Sequence, residues 1–330
     1  MSKLAVHKGI PYEEKRLRQW LEEDGKVVIQ IKRDEIRCVV EIVPCEEVNH
    51  QHEAGVCHPS GLAVRYTSAS GKPLYNLSCF DQHWLDFSAR TGKRKIDCGV
   101  SINDSFDLTR RTVMAKTKQY DLSGNTVNTI AGEKKKDPPH YVGPLRAMFW
   151  LYDVIDHYGT YADRRRDMAK YAMDFPSFLA CPETFVIESG NSDTVIPQCE
   201  IDRAVAEVES HFQQALDCKH EGLMIKRFYH FWEPRRTTNW MKMKPEAEVD
   251  VEIIGYVEGK GEFAGLVGSL TGRAEDGSTV DFSGFTLELR RAISADFESY
   301  LGRWCEVQYM QRDAQGGYRH PRFFRFHPDK

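Results

Sequence analysis

The chain carries 45 Lys and Arg against 49 Asp and Glu in 330 residues, a formal net charge of −4. That length suits two domains with separate cores, and no apolar run is long enough to span a bilayer, which excludes a helical membrane protein. The charge excludes binding to nucleic acid through a net polycationic surface, but it leaves room for local basic clusters that focus the field.

The opening residues, MSKLAVHKGIPYEEKR, lack the apolar stretch of a secretion signal, so an intracellular, cytoplasmic protein is expected. The first strand candidate, KVVIQI, runs into QIKRDEIR, where Lys32 is followed by Asp34 and Arg37. CVVEIV comes next, and then CEEVNHQHEAGVCH, which holds Cys45, His50, His52, Cys57 and His58. These side chains can bind metal, but their spacing matches no standard zinc pattern. A polar hairpin loop is the expected reading, with zinc as its alternative. The nine cysteines are scattered and odd in number, as for reduced thiols rather than a disulfide framework.

LAVRY, KIDCGVSI, AMFWLYDVI, GLMIK and NWMKMK are further strand candidates, rich in β-branched and aromatic residues. A basic run, RRTVMAKTK, spans Arg110 to Lys118, and a helix is predicted over DRRRDMAKYAMDF. The clearest helix is IDRAVAEVESHFQQALD, where Ile201, Ala204, Val205, Val208, Phe212 and Ala215 recur at helical spacing. From Lys226 to Lys244, basic and aromatic residues interleave around one acid. The irregular mixture predicts an α+β fold with largely antiparallel sheets. There is no glycine-rich phosphate loop, so any nucleotide must be held another way.

After KPEAE the texture changes. VDVEIIGYVEG, GLVGSLTGRA, STVDFSGFTLEL, WCEVQYMQRD and YRHPRFFRFH read as five strands, with one short helix near SADFESYL, the pattern of an OB-type barrel. KPEAE is the expected boundary and hinge between a domain over 1–245 and a barrel over 246–330.

Lys32 with Asp34 and Arg37, HEGLMIK at 220–226 and WMKMK at 240–244 follow the order of the signature segments of covalent nucleotidyltransferases. Within that superfamily the chain resembles the small bacteriophage-type ATP-dependent DNA ligases. VEIIGYVEGKGEFAGLVGSL and the terminal YRHPRFFRFHPDK extend the resemblance through the second domain. It implies an adenylation (nucleotidyltransferase) domain before the OB-fold, ATP and Mg²⁺ or Mn²⁺ as cofactors, and nicked double-stranded DNA as the partner. With no heptad repeat or exposed apolar helix to argue for assembly, a monomer is expected. The implied reaction is attack by Lys32 on the α-phosphate of ATP, giving lysyl-AMP and pyrophosphate. AMP then passes to the 5′-phosphate at a nick, and the 3′-hydroxyl displaces it. The alternatives are an RNA ligase or capping-type nucleotidyltransferase with the same lysine chemistry, or a nick-binding protein with weakened catalysis.

An amine with a pKa of about 10.4 is protonated at neutral pH and is no nucleophile. Lys242 and Lys244, two apart on a strand, share a face and would lower the pKa of Lys32 and neutralise charge on the α-phosphate. The resemblance implies that Tyr152 stacks on the adenine, with a core tyrosine as the other reading. It implies that Gln30, beside Ile31, reads the adenine amino group and that Arg37 contacts the ribose. Asp34 would act near the reacting phosphate or the acceptor hydroxyl. Glu221 would be a metal ligand or an orienter of the lysine, and Lys226 would lie close to the phosphates. Arg65, Arg235, Arg236 and Lys260 are expected contacts to nucleic-acid phosphates, with a solvated loop as the alternative for Arg235 and Arg236. Arg319, Arg322, Arg325, Asp329 and Lys330 form the expected terminal motif.

The sequence also departs from the family pattern. Glu35 stands where the pattern has glycine, Ala69 where it has a phosphate-binding arginine, Gly99 where it has a ribose-gripping glutamate, and His327 where it has an arginine. Glu35 is expected to point away from the nucleotide, paired with a base such as Arg33, so that Glu35→Gly changes adenylation little.

Overall fold

The computed structural model describes residues 6–47, 57–132, 137–245, 247–312 and 316–327. The chain divides into two compact units, Met1–Met243 and Lys244–Lys330. In the first, β1 (Lys8–Pro11) leads through α1 (Glu14–Asp24) to β2 (Lys26–Lys32), β3 (Ile36–Pro44) and β4 (Leu62–Ser68). Then come α2 (Asp81–Thr91), β5 (Lys95–Ile102), α3 (Phe106–Val113), β6 (Ser123–Ile130) and β7 (Tyr141–Val154). The unit finishes with α4 (Tyr161–Asp174), β8 (Leu179–Ala180), β9 (Thr184–Glu188), α5 (Gln198–Asp217), β10 (Gly222–Arg227) and β11 (Arg236–Met243).

Two sheets result, in the orders β1-β11-β10-β2-β9 and β4-β3-β5-β7-β6, with β8 on β7. All pairings are antiparallel except β1 with β11 and β7 with β8. The continuous apolar run of β2 is explained by burial on both of its faces. Val27 and Ile29 pack with Leu17, Trp20 and Leu21 of α1 and with Ile201, Val205 and Val208 of α5. Val28 points the other way, into the core of the second sheet. There Trp84 meets Phe87, Phe149 and Phe178 edge-on, with ring centroids 5.1–5.5 Å apart.

Local chemistry sets where the helices begin and end. The Ser105 hydroxyl caps α3, and Thr160 with Asp163 forms a reciprocal capping box on α4. α1 stops at Gly25, whose φ of +69° no side-chain-bearing residue adopts cheaply.

The second unit contains β12 (Ala247–Glu258), β13 (Val267–Ala274), β14 (Thr279–Phe282), α6 (Leu287–Ala295), β15 (Trp304–Tyr309), β16 (Gln311–Arg312), β17 (Tyr318–Arg319) and β18 (Arg322–Phe326). Five of these strands form the sheet β14-β13-β12-β15-β18, while β16 and β17 make a separate hairpin. Ser283, just past β14, bridges to Arg322, and its carbonyl accepts from the Phe323 N–H at 2.7 Å. That bridge joins the two edge strands and closes an OB-type barrel around Val251, Ile253, Leu270, Phe282, Ile293 and Val307.

Two expectations need correction. The helix of the barrel lies at Leu287–Ala295, and SADFESYL forms its end plus a short 3₁₀ turn at Phe297–Ser299. STVDFSGFTLEL is strand only to Phe282, because Thr286 caps a new helix by accepting from the Leu289 N–H. In the first unit α1, α2 and α3 are helices that the apolar pattern did not single out.

Candidate active site

Strand register assembles the site. Gln30 of β2 faces Met224 of β10, which faces Lys242 of β11, so the three side chains form one row across the sheet. The next row is Val28, Lys226 and Trp240. Lys32 lies opposite Gly222, and the Glu221 N–H donates to the Lys32 carbonyl at 3.0 Å. This brings the Glu221 carboxylate, itself buried, onto the Lys32 ammonium as an ion pair.

The facing wall comes from the second sheet. Arg37 of β3 pairs with Gly99 of β5, and Gly99 with Trp150 of β7. Between the pairs Asp97↔Asp153 and Cys98↔Leu151 the register shifts, which leaves Tyr152 as the extra residue of a β-bulge and turns its ring into the space between the sheets. The cavity between them is about 190 Å³ and is lined by Gln30, Ile31, Lys32, Glu35, Arg37, Tyr152, Met224, Lys226, Trp240 and Lys242, with Gly9 and Arg33. A larger surface groove of about 580 Å³ over α2 contains His58 and Arg94 but none of the residues expected to handle nucleotide.

The cavity is rigidly backed. Arg37 donates to both oxygens of the fully buried Asp97 and, at 2.7 Å, to the His7 carbonyl. Burial opposes its charge, and the Asp97 carboxylate more than offsets that, holding the guanidinium above its usual pKa. Lys226 is fully buried, donates to the Tyr152 carbonyl and the Tyr161 hydroxyl at 3.0 Å each, and lies 4.0 Å over the Trp240 ring. Burial pushes its pKa down to about 7. Trp240 Nε1 donates to His230 Nε2 at 2.7 Å, and His230 Nδ1 meets the Arg227 carbonyl, which assigns a neutral Nδ1–H tautomer. Burial, the first cause of its lowered pKa, keeps that ring uncharged. Behind Tyr152, Arg164 and Asp153 form a fully buried pair at 2.5 Å.

Glu35 overturns its expectation in part. Its carboxylate does accept from Arg33 Nε, at 2.6 Å, but it faces the cavity and also accepts the Tyr152 hydroxyl. Arg33 in turn lies 3.7 Å over the Trp150 ring. Burial raises the Glu35 pKa to about 7, against the opposing hydrogen bonds from Tyr152 and Arg33. The roles of Glu35, Asp97 and Trp240 escaped sequence reasoning. The pairing of Glu35 with Gly99 was signalled only as two separate departures from the family pattern.

Not all expected residues gather here. Asp34 is half-buried and outside the cavity lining, and Lys244 opens the second unit and does not line the cavity. Arg65 grips the buried Glu41 across β3 and β4, at 2.8 Å, and is likewise outside the cavity lining. Arg235 bonds Glu233 and is exposed, as is Arg236. In the barrel Lys260 is exposed, Arg319 is half-buried on β17, Arg322 donates to Gln308 at 3.2 Å and Arg325 makes a two-pronged pair with Glu306 at 2.8 Å. Asp329 and Lys330 lie outside the described residues, as do His50 and His52. The Cys45 and Cys57 thiols are hydrogen-bonded, which raises the Cys57 pKa, and His58 turns to Asp81 at 3.2 Å. None of the nine cysteines, all of them among the described residues, is in a disulfide.

The one three-residue group with metal-ligand spacing among the described residues is Asp250, Glu306 and His327 in the barrel. The carboxylates near the cavity are Glu35, which lines it between Arg33 and Tyr152, and Glu221, which reaches it through its ion pair with Lys32 and would be the one to hold a divalent cation. Mg²⁺ commonly takes one or two carboxylates and completes its shell with phosphate oxygens and water, so this donor set fits an ion that arrives with a nucleotide. Among the described residues no helix is long and apolar enough to cross a membrane.

Comparison with known proteins gives a consistent picture. Residues 258–326 match the DNA ligase OB-like domain family. The chain is 37% identical over 112 residues to a DNA ligase of Thermococcus onnurineus, a match covering 31% of this chain and 20% of that protein. It is 32% identical over 114 residues to the DNA ligase of Enterobacteria phage T3, covering 32% of this chain and 33% of the relative. These matches span about a fifth to a third of the curated relatives' length. Among solved structures, a Lig E DNA ligase superposes with a TM-score of 0.61 at 18% identity, over 98% of this chain and 99% of the other. The ATP-dependent DNA ligase of bacteriophage T7, in complex with ATP, gives 0.51 at 18% identity over similar shares. The resemblance to DNA ligases, a phage enzyme among them, is therefore borne out, with an α+β unit followed by an OB-type barrel.

Proposed function

We propose that the chain is an ATP-dependent DNA ligase that seals nicks in duplex DNA through a lysyl-AMP on Lys32. The observation that carries this is the placement of Lys32, with Lys242, Arg37, Gln30 and Tyr152, around one cavity between two sheets. An amine, two further cations, an amide and an aromatic ring suit the binding of a nucleotide and the transfer of its AMP moiety, and the sequence and fold similarities to DNA ligases support the same reading.

In the resting site the Lys32 ammonium is neutralised by Glu221. A proton passes from Nζ to that carboxylate or to water, and the freed electron pair attacks the α-phosphorus. The N–P bond forms as the P–O bond to pyrophosphate breaks. Lys242 offsets the charge that grows on the α-phosphate, and Tyr152 and Gln30 orient the base. A divalent cation bound by Glu221 and phosphate oxygens would supply further charge neutralisation and favour release of Lys32 from its ion pair. The adenylate then moves to a DNA 5′-phosphate, and the 3′-hydroxyl closes the strand with release of AMP. Exposed Arg235, Arg236, Lys260 and Arg322 contact DNA phosphates, and the protein works as an intracellular monomer.

The test is incubation with ATP labelled at the α-phosphate and Mg²⁺, then denaturing electrophoresis. Label on the wild type and none on Lys32→Ala is expected, together with sealing of a nicked duplex. Undiminished label on Lys32→Ala would remove Lys32 from its role, and adenylation without DNA sealing would exclude the proposed substrate.

A further inference from the structure

Gly99 and Glu35 share one volume. A Cβ on Gly99 would collide with Glu35 Oε2 and with the Tyr152 hydroxyl. The carboxylate of Glu35 has therefore entered the space that a side chain at position 99 would fill, although it starts from the turn after β2 and not from β5. Its side chain is only 1% exposed, and its charge faces a cavity lined by Lys32, Arg37 and Lys242. Such burial is costly for a carboxylate unless partners satisfy it.

Its present partners do so only in part. Oε1 accepts from Arg33 and Oε2 from Tyr152, whereas an ionised carboxylate offers about four acceptor sites. In its ionised form it has no donor to give. Among the parts of ATP, the phosphates are themselves acceptors and anions, so they are repelled. The ribose presents two adjacent hydroxyl donors, matched in spacing to two carboxylate oxygens, and Arg37, paired across from Gly99, stands on the same wall. Gln30 occupies the opposite wall on β2 and is the group suited to the base.

We propose that Glu35, reaching over Gly99, accepts the ribose hydroxyls of the bound nucleotide, and that positions 35 and 99 act as an exchangeable pair delivering one carboxylate to one place. This rests on the reading of the cavity as an ATP-adenylation site. It makes Glu35 a nucleotide-specificity residue, and it reverses the expectation that Glu35→Gly is nearly silent.

The experiment measures KM and kcat for lysyl-AMP formation with ATP, 2′-deoxy-ATP and 3′-deoxy-ATP. The proteins compared are the wild type, Glu35→Gln, Glu35→Gly, Gly99→Glu and the double exchange Glu35→Gly/Gly99→Glu. Loss of a hydrogen bond to a charged group predicts a KM for ATP raised by about 10-fold or more in Glu35→Gln, with a much smaller change for the deoxy-nucleotide lacking the bonded hydroxyl. Gly99→Glu alone brings two carboxylates into collision and weakens adenylation, whereas the double exchange restores the KM for ATP to within about 3-fold of wild type. Glu35→Gln is nearly isosteric and keeps the test valid if a variant at position 99 does not fold. Equal losses with ATP and both deoxy-nucleotides would overturn the proposal, since Glu35 would then only brace Tyr152. A loss confined to variation of the adenine amino group, read with purine riboside triphosphate, would overturn it too. Absence of any adenylate on the wild type would instead overturn the parent reading, and this one with it.

Discussion

At the scale of single residues, Glu35 makes the stability of the protein depend on pH in an unusual direction for a carboxylate. An unfolded glutamate titrates near 4.3, whereas burial raises the folded group to about 7. Between those values the native state holds a proton that the unfolded chain has released. The stabilisation is thus complete below about pH 4 and lost as pH rises through about 7, a span worth roughly 3–4 kcal/mol. Urea midpoints of wild type and Glu35→Gln should diverge from pH 5 to pH 8, the glutamine variant gaining relative stability, and parallel curves would show that the group titrates normally. Lys32, Tyr152 and Gln30, which all line the cavity, could be singled out in the sequence because they stand in segments that resemble a family's signature. The direction of Glu35 could not be read there, because it depends on an empty volume above Gly99, a residue more than sixty positions away.

At the scale of elements, α4 is tied to β7 by Arg164 and Asp153, both fully buried. Arg164 also donates to the Gly159 carbonyl at 2.7 Å, securing the turn that enters the helix. Removing one partner strands the other charge, so Arg164→Leu should lose about 3–5 kcal/mol in denaturant unfolding. A loss below about 1 kcal/mol would show that Asp153 finds other partners. The helices that sequence analysis recovered explain those it missed. α5 presents Ile201, Ala204, Val205 and Val208 as an unbroken stripe over 20 residues. α3 has only eight residues, of which Thr109 and Thr112 are buried polar positions, so its pattern is short and mixed. α6 begins within FTLEL, where alternation of apolar and polar residues imitates a strand until the Thr286 cap is seen. β6, with Asn128 and Ile130 as its buried residues, is an edge strand that carries little apolar signal.

At the scale of the whole molecule, two features follow from charge and chain division. A net charge of −4 means that any DNA affinity must come from local cations such as Arg235, Arg236, Lys260 and Arg322. Each phosphate neutralised contributes about −0.9 to the slope of log affinity against log salt for duplex DNA. Replacing Arg236 by Ala should lower that slope by about 1 in nicked-duplex binding without altering lysyl-AMP formation, and an unchanged slope would remove it from the interface. The barrel could be foreseen because its strands are short, alternate and are separated by Gly and Asp. Its closure could not, since the Ser283–Arg322 bridge joins positions whose partnership no local pattern records.

The extra residue in β7 has a consequence for how this protein can change. Because Tyr152 has no partner on β5, the strand runs in one register beyond it and another before it. Phe149 and Leu151 are anchored in the core on one side, and Asp153 holds Arg164 on the other. Deleting one residue there would straighten the strand and oblige either the core or the ion pair to surrender its side chains. Substituting Tyr152 disturbs neither. The bulge thus isolates the ring that faces the cavity from the packing on which folding depends, and lets the cavity wall vary in lineage or by design while the scaffold stays constant.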